Sequence, residues 1–176
     1  MDELQTRMEQ LFDQQQSLDQ EINQANEQTD KSTLERLVQE EKRNLDEFDN
    51  LKSLMEEASE LVEPYSQKTS EDLDEMAQSD LTNQTESSMM ETMENLSQQQ
   101  IQQSQNSSNQ SLENMQQMMQ EMMEMQQQFQ QETVAEMTEK FQALMQDMLY
   151  LSSQEEQLRS EVKSASRNSP RLREMA

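Results

Sequence analysis

No glycine occurs anywhere in this 176-residue sequence. Glycine enters backbone conformations with φ > 0 at no steric cost, so tight hairpin turns, bulges and phosphate-cradling loops depend on it. Its absence disfavours any sheet-rich or mixed fold. It also excludes the P-loop, dinucleotide and EF-hand fingerprints, each of which needs glycine at fixed positions. Cysteine, histidine and tryptophan are missing as well, and proline occurs only at Pro64 and Pro170. Helix is what these residues favour.

Hydrophobic residues make up 31% of the chain and aromatics 3%. That is too little apolar surface for one compact core of ordinary size, whereas narrow seams between long helices need less. The sequence therefore predicts an all-α fold, either elongated long-helix coiled-coil hairpins or a loose helical bundle. The net charge is −24, from 37 acidic and 13 basic residues. Such a charge repels nucleic-acid phosphates and anionic headgroups, so no nucleic-acid partner is expected. No stretch approaches the ~20 consecutive apolar residues of a membrane span. Nor does Met1-Asp2-Glu3-Leu4 read as a secretory signal. No direct membrane insertion by this segment is expected.

Apolar spacing divides the chain into three parts, 1–64, 65–108 and 109–176. In the first, Leu4, Met8, Leu11, Leu18, Ile22 and Ala25 alternate steps of four and three, with Gln15 filling the gap. That is the coiled-coil repeat over residues 2–28. Ser32 with Glu35 forms a capping-box signature, which predicts a second helix over 33–63 carrying Leu45 and Phe48. Proline disfavours helix in the preceding residue, so Glu63-Pro64 should end it. The pair reads as an antiparallel helical hairpin.

Residues 70–97 read as one acidic helix capped by Thr69 or Ser70. The run from Gln98 to Ser111 has Ile101 as its only apolar residue and reads as a loop or a frayed helix. From about residue 109 to 168 a long helix follows, with Phe129, Met137, Phe141, Met148, Leu151 and Leu158 on its apolar face. Asn168-Ser169-Pro170 should stop it. Arg159, Lys163, Arg167, Arg171 and Arg173 gather near this end, where they complement the helix dipole.

Site chemistry is scarce. Met115, Met118, Met119 and Met122 share a helix face, and thioethers are soft enough to bind Cu(I). Methionine is also a flexible core filler, which is the favoured reading. A di-iron bundle would need Glu-x-x-His ligands, and no histidine exists. Ser160 and Lys163 match a serine–lysine spacing by chance on a polar surface. No catalytic residue, cofactor or enzymatic activity is expected. The interaction seam is expected at Leu4, Leu11, Leu18, Ile22, Leu45 and Phe48, and again along the late helix face from Phe129 to Leu158.

The stretch Leu144-Met145-Gln146-Asp147-Met148-Leu149-Tyr150-Leu151-Ser152-Ser153-Gln154-Glu155-Glu156-Gln157-Leu158-Arg159 is the most sequence-specific part of the chain. It resembles the pattern L-x-x-L-L-x-L-S-x-x-Q-E-x-L of an uncharacterised bacterial family. Those are large proteins with N-terminal membrane helices followed by a very long Gln-, Glu- and Met-rich helical region. The likeness covers roughly the last seventy residues, including the preceding Met/Gln-rich helix and Asn168-Ser169-Pro170. It implies an internal fragment of a membrane-anchored envelope protein, and it carries no catalytic residues. The expected function is a non-enzymatic spacer or scaffold that pairs with itself or with a helical partner protein. The alternative is a Met-rich Cu(I)-binding or methionine-oxidation-sensing helix.

Overall fold

The computed structural model describes the backbone of residues 1–167 and the side chains of residues 1–159. Among the described residues five helices follow one another: α1 Asp2–Gln24, α2 Lys31–Val62, α3 Gln67–Gln78, α4 Asp80–Ser97 and α5 Ile101–Arg167. No strand occurs among the described residues. The chain divides into two compact units, Met1–Glu132 and the residues from Thr133 onward.

The first unit is an up-down-up-down helical bundle, and its side-chain bonds give the directions. Gln15 meets Glu41 while Glu21 meets Arg36, so α1 and α2 are antiparallel. Lys52 of α2 pairs with Glu86 of α4 at 2.6 Å. Thr92 donates to Ser107 at 2.9 Å, and Ser66 reaches Glu132, which sets α3 and α4 against α5. The ring closes between α5 and α1, where Ser108 meets Asp19 and Gln126 meets Asp2.

The helix ends refine what spacing predicted. α2 starts at Lys31 rather than near residue 33, because Asp30 is the cap and the expected Ser32–Glu35 box does not form. The Asp30 carboxylate accepts from Thr33 N at 2.9 Å, from Ser32 Oγ at 2.5 Å and from Thr33 Oγ1 at 2.9 Å. Those bonds, the Ser32 hydroxyl first, hold its pKa down to about 2. A charged side chain at the N-cap outcompetes the neutral serine there. Glu35 instead pairs with Lys31 at 3.4 Å. At the other end α2 stops at Val62, yet Glu63 keeps helical angles of φ −48° and ψ −44°. The helix ends because Pro64 has no N–H to donate, not because it displaces Glu63.

The expected single helix over 70–97 is two helices, and it starts earlier. Ser66 caps α3, its Oγ accepting from Thr69 N at 3.0 Å. Ser79, at φ −64° and ψ 158°, is the C-cap of α3 and the N-cap of α4 at once. Its Oγ accepts from Thr82 N at 3.1 Å, and Thr82 Oγ1 donates back to Met76 O at 2.6 Å. The Ser79 hydroxyl thus satisfies a donor orphaned by the break, and the Thr82 hydroxyl joins Ser79 N, at 3.2 Å, on the Met76 carbonyl.

The largest departure lies between Gln98 and Ser111. The expected loop or frayed helix is the packed first part of α5, which begins at Ile101 rather than near 109. Ser104, Ser108 and Ser111 are completely buried there. Ser104 donates to Ile101 O at 2.7 Å and Ser111 to Ser108 O at 2.8 Å. A serine that bonds its own backbone can be buried at little cost, so the face needs no apolar residues. The turn before it, Gln98 to Gln100, has Gln99 at φ 60°. Gln99 N donates to Leu96 O at 3.1 Å and Gln100 N to Asn95 O at 2.8 Å, a Schellman motif made without glycine.

Two apolar clusters fill the bundle. One gathers Leu4, Met8 and Leu11 with Phe48, Met55 and Met115; the other gathers Leu18, Ile22, Leu34, Leu37 and Leu96. The second unit, among the described residues, is the remainder of α5, held by bonds such as Lys140 to Glu136 at 2.5 Å and Gln154 Nε2 to Tyr150 Oη at 2.7 Å. The helix stop expected at Asn168-Ser169-Pro170 lies outside the described residues, as do the side chains of Lys163, Arg167, Arg171 and Arg173.

Candidate functional site: a buried polar layer and an exposed helix face

A layer of polar side chains separates the two apolar clusters. It is seeded by Gln15, which breaks the apolar seam of α1 and is fully buried. Gln15 Nε2 donates to Glu41 at 3.0 and 3.2 Å, and its Oε1 accepts from Asn44 Nδ2 at 2.7 Å. Ser111 of α5 lies 3.3 Å from the same Nε2. Beside them Asp19 accepts from Ser108 at 2.8 Å and from Asn23 at 2.9 Å. Burial pushes the Glu41 carboxyl up to about 7; Asp19 adds to the rise, and the Gln15 bond opposes it. Among the described residues, Asn114 Nδ2 is the one buried side-chain nitrogen or oxygen with no hydrogen-bond partner. A layer of this kind fixes which residues face each other, because a slipped helix would strand its polar atoms. Spacing flagged only Gln15; Glu41, Asp19 and the serines of α5 carry no sequence signal of burial.

Met115, Met118 and Met122 are buried among the side chains of the larger cluster, whereas Met119 packs at its edge. Met8, Met55, Met76 and Met89 belong to the same cluster. Thr82 and Thr85 hydroxyls lie 3.9 and 3.7 Å from Met118 Sδ. Each has a shorter bond to a carbonyl, at 2.6 and 2.8 Å, so the sulfur is a weak secondary acceptor. The four methionines singled out by spacing are thus brought to the bundle interior and its rim.

The residues expected to form the interaction seam separate into two sets. Leu4, Leu11, Leu18, Ile22, Leu45 and Phe48 are buried inside the bundle, and Phe129 packs partly against it. Met137, Phe141, Met148, Leu151 and Leu158 lie on the second unit, each with 58–66% of its surface exposed. Val134, Leu144 and Leu149 are exposed with them. Scattered exposed leucines are ordinary, whereas here the exposed apolar residues form a continuous row along one helix.

The bundle surface carries clefts of mixed character, one of them beside Leu34, Val38 and Leu96. A cleft of about 320 Å³ is lined by Asp72, Glu75, Glu121 and Glu124 together with Met76 and Met125. Among the described residues, no group of three or more His, Cys, Asp or Glu is arranged to hold a metal ion. None of the described helices is long and apolar enough to cross a membrane. Comparison with protein-family models, with curated proteins and with solved structures finds no match to this chain.

Proposed function

We propose that this chain is a non-enzymatic helical spacer or scaffold, part of a larger bacterial envelope protein, that presents one helix face to a protein partner. The observation that carries this reading is the exposed apolar row from Val134 to Leu158. Leaving that many large side chains in water is unfavourable, by roughly 1.5–3 kcal/mol for each one that a partner could bury. The bundle supports the scaffold part: side chains cap the N-termini of α2, α3 and α4, and its interior is filled. Against catalysis stand the lack of histidine and cysteine and the position of Glu41, the one strongly raised carboxyl among the described residues, sealed inside. The envelope setting rests on the resemblance of residues 144–159 alone.

The experiment is site-specific photo-crosslinking in cells that express the whole natural protein. A photo-reactive residue at Phe141 or Leu151 should trap polypeptide adducts, and one at Gln146, on the opposite side of the helix, should not. Equal trapping at all three positions, or none at any, contradicts the reading.

A further inference from the structure

The exposed face of α5 has a stricter order than an apolar stripe requires. Val134, Met137, Phe141, Leu144, Met148 and Leu151 are spaced three, four, three, four and three residues apart, and Glu155 and Leu158 continue the alternation. In heptad terms Val134, Phe141, Met148 and Glu155 stand at a, and Met137, Leu144, Leu151 and Leu158 at d. A repeat held over nearly four heptads is the geometry of a two-stranded coiled coil, in which each knob needs a matching hole on the other helix. We propose that a second copy of this chain covers this face, with the two helices antiparallel and Leu144 opposite the second copy's Met148. The proposal rests on the docking reading above and names its partner.

Charge favours a second copy. Residues 1–132 hold 30 acidic and 7 basic side chains, net −23, whereas residues 133–176 hold 7 and 6, net −1. Nearly the whole charge is thus kept off the segment with the repeat, which can meet its own kind without strong repulsion. The area also suffices. Fourteen apolar seam side chains, seven from each copy, bury on the order of 1,000 Å² in total, the lower limit for a specific interface.

Two further features set the direction. In a parallel, in-register pair Glu155 would face the second copy's Glu155 inside the seam, placing like charges together in a desolvated site. The antiparallel register sets it against the second copy's Met137, beside which the carboxylate can reach solvent. Chain order adds a second argument, because residues 1–132 precede the seam. In a parallel pair both chains, each preceded by residues of net −23, would enter the coil at the same end. In an antiparallel pair they enter at opposite ends of the seam, about 36 Å at helical rise.

The test uses the full chain. Sedimentation equilibrium at micromolar concentration should give twice the chain mass. Phe141→Glu with Leu151→Glu should weaken the pair at least ~100-fold, while circular dichroism keeps its helical signal. The chain has no cysteine, so one introduced thiol is unambiguous. Val134→Cys and Leu158→Cys chains, mixed and oxidised, should form the disulfide between the two variants. Disulfides within each variant separately would overturn the antiparallel pair, as would a trimer or tetramer. A monomeric chain at tens of micromolar, with adducts at Phe141 in cells that contain another protein, overturns the second copy but leaves the docking reading intact. A monomer without adducts removes both.

Discussion

Gln15 and Glu41, on neighbouring antiparallel helices, meet through a forked contact in which one amide nitrogen donates to both carboxylate oxygens, at 3.0 and 3.2 Å. Glu41 is fully buried and no basic side chain is bonded to it. The charge of the carboxylate is therefore balanced only by the Gln15 amide dipole, and the bundle favours its protonated form. Interdigitated leucines would be more stable here, but they would not discriminate among registers.

Stability should therefore fall as pH rises. The Glu41 pKa is about 7 in the fold against an ordinary 4.5, so between those values the folded chain holds more protons than the unfolded one. The stabilisation is complete below about pH 4.5 and is lost as pH passes through about 7. A shift of this size corresponds to about 3 kcal/mol for this one group. Glu41→Gln keeps the acceptor for Gln15 and removes the charge. It should raise the urea midpoint at pH 8 and flatten the slope between pH 5 and 8, relative to the parent chain. An unchanged slope would show that Glu41 is not the group responsible.

Gln99 occupies a left-handed position where its Cβ is strained. Gln99→Gly should relieve that strain and stabilise the bundle by about 1 kcal/mol. A thermal melt reads this directly; a lower midpoint would mean the turn between α4 and α5 is formed differently.

Phe48 is completely buried in the larger cluster. Phe48→Ala should cost about 4 kcal/mol, by lost transfer energy and an unfilled cavity. Equilibrium unfolding in denaturant measures it, and a loss under about 1 kcal/mol would place Phe48 at the surface.

Methionine oxidation should separate the two units. Met137, Met145 and Met148 are exposed, whereas Met115 and Met118 are fully buried. Under peroxide and native conditions Met145, outside the a and d positions, should oxidise roughly tenfold faster or more, and Met137 and Met148 should do so once dilution separates the paired copies, because the buried sulfurs react only after opening. Peptide mass spectrometry at short times checks the order; early oxidation of Met118 would contradict the packed core.

Much of the fold is legible in the residues. The four-three spacing of Leu4, Met8, Leu11, Gln15, Leu18 and Ile22 marks a seam, and all six are buried. The hairpin of α1 and α2 follows from it. What stayed hidden has physical causes. Ser79 looks like any polar residue within a helical run, and only its bond from Thr82 reveals a cap. Ser104, Ser108 and Ser111 hide a buried face, because hydropathy counts a hydroxyl bonded within its own helix, or in the case of Ser108 to Asp19, as if it sought water. Periodicity also gives one pattern for an internal seam and an external one. Phe48 and Phe141 were thus equivalent on paper, and only packing shows that one is enclosed and the other exposed.

Native-state hydrogen exchange, read residue by residue, bears most directly on the whole account. The amides of Ser104, Ser108, Ser111 and Met115 should exchange as slowly as those of Phe48 and Leu37, opening only when the entire bundle unfolds. Exchange of that serine-rich stretch at the rate of an unstructured chain, while α1 and α2 stay protected, would contradict it.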